Sequence, residues 1–232
     1  MPVIPAPPDR IRPGQLGVLM LGRVIIGDIA ATLVDLSVRG LLDIEERAGS
    51  QGGWLLRPQA AGPKRDSLLA YEKTLLEAVP GGEPSTLQSL APGIPHVLST
   101  ARDAIVHDAI SRGWLHRIHH GQRTDAGELM VTRIRRFQRD LRALVTEQGQ
   151  NALAGELLPY ALHFGMADRD QLPLVKFAHT WVDAFAGLPG WHQPPPSPPD
   201  FNEPDAVSKP SIDEQMMDPT VGMALWVTGG TI

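Results

Sequence analysis

The sequence predicts a mainly α fold with small β wings: tandem winged-helix-like units followed by a C-terminal helical subdomain. Two observations point to the units. An Arg-Gly-apolar-Leu signature closes an amphipathic stretch twice, at Arg39-Gly40-Leu41-Leu42 and at Arg112-Gly113-Trp114-Leu115. After the first come an alternating stretch, a glycine turn and a second short strand, the order of a winged helix. The helical subdomain rests on a third observation. From Glu128 to Gln148, Leu129, Ile134, Phe137, Leu141 and Leu144 or Val145 recur at helical spacing, with arginines on the opposite side.

Residues 1–13 are proline-rich and read as an extended N-terminal arm. The first unit covers residues 14–62. Gly27-Asp28 marks a helix start with Asp28 as N-cap. Ile29, Leu33, Val34, Leu36 and Val38 continue the helix, and Gly40 ends it by accepting a left-handed conformation. Leu41–Glu45 alternates like a half-buried strand, residues 49–53 turn, and Trp54–Arg57 forms the second strand.

The second unit covers residues 63–127. Leu68–Val79 reads as a helix stopped by Pro80-Gly81-Gly82. Ser85–Leu90 is a short helical turn. Val97–Ser111 follows with Val97, Ala101, Ala104, Ile105 and Ala109 spaced for burial. Trp114–Ile118 is expected to be a wing strand, with His119–Gln122 as its tip and Thr124–Gly127 closing the unit. The helical subdomain covers residues 128–192. Beyond the arginine helix it holds helices at Ala152–Leu162 and Val175–Phe185, with a kink or break at Pro159. Residues 193–232 form a proline-rich acidic tail that begins with a stiff linker.

The 232-residue chain contains no cysteine, which excludes disulfides, thiolate metal sites and a cysteine nucleophile. The net charge of −5 belongs to the tail. From Pro196 to Ile232 there are six acids and one base, whereas the remainder balances twenty bases with twenty acids. Within that neutral body, Arg112–Arg142 holds eight arginines against three acids. The proline-rich start lacks the form of a signal peptide. No apolar run approaches the roughly 20 residues that span a bilayer. The expectation is a soluble, cytoplasmic chain without membrane insertion.

Several segments together resemble a known family. They are Pro7-Pro8, the run Gly27–Glu46, Tyr71-Glu72-Lys73-Thr74-Leu75-Leu76, Leu157–Leu162 with Gly165, and Pro189-Gly190-Trp191. Across residues 7–192 they are similar to the cytoplasmic C-terminal region of the bacterial DUF2207 membrane proteins. The resemblance implies tandem winged helices, and it implies no activity. The chain departs from the family in lacking membrane helices and in carrying an acidic, proline-rich tail where the family has a glycine-rich one. His163 stands where the family motif has a small residue.

Three groups of residues are candidates for function. Arg133, Arg135, Arg136, Arg139 and Arg142 form a band suited to phosphates or acidic partners. The acidic tail is a potential intramolecular occupant of that band, and its apolar end around Trp226 is a potential docking segment. Tyr160, His163, His179 and Asp183 could share a pocket for acid–base chemistry, with Asp183 orienting His179 one turn away. His116, His119 and His120 read as a solvated wing tip rather than a metal site. Neither cofactor nor metal is expected. Phosphate-binding loops, nucleophile elbows and zinc-protease motifs are all missing.

These features favour a non-catalytic binding or scaffold module that recognises a protein or peptide partner through a groove between winged helices. A nucleic-acid-binding regulator using the arginine helix is the first alternative. A small-molecule biosynthetic enzyme or accessory using the histidine pocket is the second.

Overall fold

The computed structural model describes residues 4–47, 53–59, 67–81, 84–117, 121–153, 155–168, 172–189 and 191. They fall within a compact unit, Met1–Gln193. The proline-rich acidic tail and Trp226 lie outside the described residues, as do His119 and His120.

Helices dominate, with a three-stranded antiparallel sheet. In order they are α1 (Leu16–Met20), α2 (Ile26–Val38), β1 (Leu42–Arg47), β2 (Gly53–Pro58), α3 (Ala70–Glu77), β3 (Ser85–Thr86), α4 (Leu87–Leu90), α5 (Ile94–Ser111), α6 (Asp125–Gln148), α7 (Leu158–His163) and α8 (Pro173–Phe185). No described helix is long and apolar enough to cross a membrane.

α2 is the hub. Every residue from Asp28 to Leu36 is buried, which leaves the helix almost no solvent face. α7, α8, β1 and the turn at Pro13–Gln15 pack around it. The helix begins at Ile26, earlier than the sequence suggests. Asp28 is therefore its third residue rather than its N-cap, and the carboxylate reaches back to accept the Ile25 N–H at 2.8 Å.

The two Arg-Gly signatures are the same cap in three dimensions. Gly40 has φ +73° and Gly113 has φ +72°. Leu41 N–H donates to Leu36 O at 2.8 Å, and Trp114 N–H donates to Ala109 O at 2.9 Å. Both are Schellman closures, in which glycine takes a left-handed turn that a side chain would strain.

The two caps lead into different structures. After Gly40, β1 and β2 pair antiparallel from Leu42↔Pro58 to Arg47↔Gly53. After Gly113, the described residues make one antiparallel bridge, Leu115↔Arg123, in place of the expected strand from Trp114. The chain is drawn back at once into α6. Thr124 accepts the Gly127 N–H with its side chain and donates to Gly113 O at 2.5 Å. Thr124–Gly127 therefore starts α6 as well as closing the unit before it. β3, which comes after α3, pairs with β2 at Leu55↔Thr86 and Leu56↔Ser85. The sheet is thus shared by residues from both sides of position 62.

Two further expectations are corrected. The N-terminal arm is not extended throughout. Pro8–Arg10 and Pro13–Gln15 form 3-10 turns, and Ile11 is fully buried in the core. Ala152–Leu162 is not one helix. Gly155, at φ +75°, lies between helical turns, and Pro159 sits in the first turn of α7, where its missing N–H has no helical acceptor to lose.

Candidate functional site

A buried ionic network holds α2, α3 and the N-terminal turn together. The Arg39 guanidinium leaves the end of α2 and donates to Asp35 Oδ2 at 2.8 Å and to Glu72 Oε1 at 2.7 Å. Glu72 is fully buried, and its second oxygen accepts the Leu69 N–H at 2.9 Å, capping α3. Arg12 lies 3.6 Å from the same carboxylate. Burial raises the Asp35 carboxyl above its ordinary range, against the opposing hydrogen bond and charge of Arg39. The Asp35–Arg39 pair is one helical turn apart and Glu72 caps its own helix, but nothing local indicates that Arg39 and Arg12 converge on Glu72.

α6 presents the arginines. Met130, Val131, Ile134, Phe137, Leu141 and Leu144 face the core. Arg133, Arg135, Arg136 and Arg139 are exposed, and Arg142 is half-buried. Leu129, expected on the apolar side, is instead 54% exposed, because the buried stripe enters the helix through Gly127, Met130 and Val131. Arg133 is held by Asp9 at 2.5 Å. Arg135, Arg136 and Arg139 make no ion pair or hydrogen bond among the described residues. The helix rises about 6 Å from Arg135 to Arg139, so these cations form a short strip of about one turn.

The expected group of Tyr160, His163, His179 and Asp183 divides. His163 on α7 and His179 on α8 do line one slot of about 120 Å³, together with Ile25, Gly27, Ala30 and Val182. Tyr160 points elsewhere. Its hydroxyl donates to Ile11 O at 2.7 Å, and its ring stands edge-on to Phe137. Burial pushes this phenol well above its usual range, which suits a structural donor rather than a proton shuttle. Asp183 is exposed on α8 and does not line the slot.

The carboxylate that meets His163 is Asp28. Nδ1 lies 2.8 Å from Asp28 Oδ1, with the histidine side chain 6% exposed and the aspartate fully buried. The approach has ion-pair distance without hydrogen-bond alignment, and neither atom has another hydrogen-bond partner among the described residues. Gly17 packs directly against Asp28, where a Cβ would lie 2.0 Å from Oδ2. Sequence reasoning missed this pairing because Asp28 carries an ordinary helix-start signature that accounts for it locally.

His116 is exposed next to the Leu115↔Arg123 bridge, and no group of three or more metal-ligating side chains occurs among the described residues. No family model, curated protein or solved structure matches the chain.

Proposed function

We propose that this chain is a non-catalytic binding module, and that the arginine strip of α6 docks an acidic segment of a protein or peptide partner. The carrying observation is that Arg135, Arg136 and Arg139 are exposed and unpaired among the described residues, on a helix whose other side is firmly buried. Exposed cations in a row attract a polyanion or an acidic peptide through summed, salt-sensitive contacts. The chain itself supplies one carboxylate to this helix, Asp9 on Arg133, which supports the same preference.

The order α3, β3, α4, α5 and the Leu115–Arg123 bridge is that of a winged helix, and it supports reading residues 63–127 as such a unit. The kinship with the DUF2207 cytoplasmic region and a cytoplasmic location belong to the same proposal. A nucleic-acid regulator would use the same arginines, placed directly after a wing. The balanced charge of the body favours the acidic-peptide reading, since a DNA-binding domain usually carries a positive excess.

Fluorescence anisotropy with a labelled poly-glutamate peptide tests the proposal. Binding should weaken with salt and be lost in Arg135→Glu/Arg139→Glu. Equal binding by the variant, or no binding by the wild type, overturns it. Preference for duplex DNA over the peptide transfers the strip to the second reading.

A further inference from the structure

We propose that Pro8–Arg10 is an autoinhibitory strap. Its Asp9 occupies Arg133, the first cation of the α6 band, and an acidic partner displaces it to engage the band in full. This regulation belongs to the docking strip proposed above and rests on that reading.

The strap is a tight turn of unusual hand. Ile11 N–H donates to Pro8 O at 2.9 Å, and the two residues between them are left-handed, Asp9 at φ +46° and Arg10 at φ +55°. Two positive φ values inside one such bond describe a type I′ turn, whose central positions favour glycine, asparagine and aspartate. Asp9 tolerates this conformation, because its short polar side chain can bond locally, whereas arginine is strained in it. Among the described residues no other residue except glycine has a positive φ. Backbone strain is therefore concentrated in this one turn, and within it at Arg10.

Little packing enforces the turn. Asp9 and Arg10 are both exposed, and no residue of Pro8–Arg10 is buried. Among the described residues the Arg10 side chain has no hydrogen bond or ion pair, and Asp9 has one partner, Arg133 at 2.5 Å. The chain is secured only from the next residue onward. Ile11 is fully buried and its carbonyl accepts the Tyr160 hydroxyl, while Arg12 N–H donates to Gln15 Oε1 at 2.7 Å. The strap thus has a fixed hinge at Ile11 and an ionic latch on α6.

The latch is built to yield. Its side chains are 48% and 55% exposed, so water and salt screen the pair and its hold is weak. Arg136 follows Arg133 by three residues, which makes the two neighbours on the helix surface. An acidic segment that reaches Arg136 therefore competes with Asp9 for Arg133. Opening frees Arg133 for that segment and releases Arg10 from its left-handed conformation, so turn strain and partner act in the same direction.

The test follows hydrogen exchange of the Ile11 amide in the full chain by NMR, first without ligand. Asp9→Asn keeps a residue that tolerates the turn and removes only the charge, so it should raise the exchange rate about threefold. Arg10→Gly relieves the strain and should exchange about fivefold more slowly than Arg10→Ala, which has lost the same charge. Saturating poly-glutamate peptide should then raise Ile11 exchange in the wild type, and by anisotropy Asp9→Asn should bind that peptide about threefold more tightly. Unchanged exchange in Asp9→Asn overturns the latch, and equal exchange in the two Arg10 variants overturns the strain, whatever the peptide does. Wild-type exchange that bound peptide leaves unchanged or slows overturns the displacement, while the binding itself upholds the docking strip. Absence of binding by both the wild type and Asp9→Asn overturns the docking strip and the inhibition with it, and the ligand-free exchange rates tell that failure from a failed latch.

Discussion

Arg39 and Glu72 meet at 2.7 Å across 33 residues of sequence, and the contact ties the end of α2 to the start of α3 in a setting nearly closed to water. Asp35 completes the arrangement from one turn back on α2. Together the three residues form a packing joint between α2 and α3.

Replacing the cation at this joint should be severe. Arg39→Met strands two acids in the core, and a buried pair broken on one side typically costs about 3–5 kcal/mol. Urea denaturation measures the loss. Replacing Asp35 and Glu72 by Asn and Gln in the same protein should restore much of it, because the uncompensated charge is then gone. A single variant within about 0.5 kcal/mol of wild type would show that the joint is dispensable.

Asp35 also sets a pH dependence. Its carboxyl is raised above 3.8, first by burial. The folded state thus holds this proton more tightly than the unfolded chain does. The stabilising contribution is complete below 3.8 and is lost as pH rises through the folded value. Asp35→Asn lacks this linkage. Its stability relative to wild type should be lowest in acid and should climb with pH across that window. Denaturation midpoints at a series of pH values give the sign directly, and a flat difference would contradict it.

Tyr160→Phe should act on the fold alone. The lost donor leaves Ile11 O buried and unpaired, which costs about 1–3 kcal/mol. Hydrogen exchange should rise around Pro8–Gln15 first, because this bond ties that segment to α7. Unchanged exchange there would mean that the core burial of Ile11 holds the segment by itself.

Two glycines near Asp28 should respond in opposite ways. Gly17→Ala puts a methyl 2.0 Å from Asp28 Oδ2 and must displace a buried carboxylate, for a cost of about 1–3 kcal/mol. Gly27→Ala meets no such contact and should leave the melting temperature unchanged or raised. Thermal melts of the two variants side by side decide the matter, and equal destabilisation would refute the packing difference.

Much of the fold was legible because its signals are local. Helical spacing found α2, α3, α5, α6 and α8, and the glycine after each Arg found both Schellman caps. The first hairpin came from alternation and a turn. Errors arose where one residue satisfied a local rule and a tertiary one together. Asp28 looks like an N-cap and is instead the third residue of its helix. Leu129 fits an apolar stripe, yet the buried side of α6 passes through Met130 and leaves it in solvent. Residues 8–13 are proline-rich, yet Ile11 among them is core.

The candidate site divides along the same line. By itself, the sequence determined that α6 carries a strip of arginines opposite an apolar face, because both arise from the period of one helix. It also placed His163 and His179 on neighbouring helices. Only the tertiary structure decided that the carboxylate beside His163 is Asp28, that Tyr160 turns away to Ile11, and that Arg39 is shared by Asp35 and Glu72. Most of those pairings join residues far apart in the chain, and a buried charge selects its partner by which helices the core brings together, a choice that no local period records.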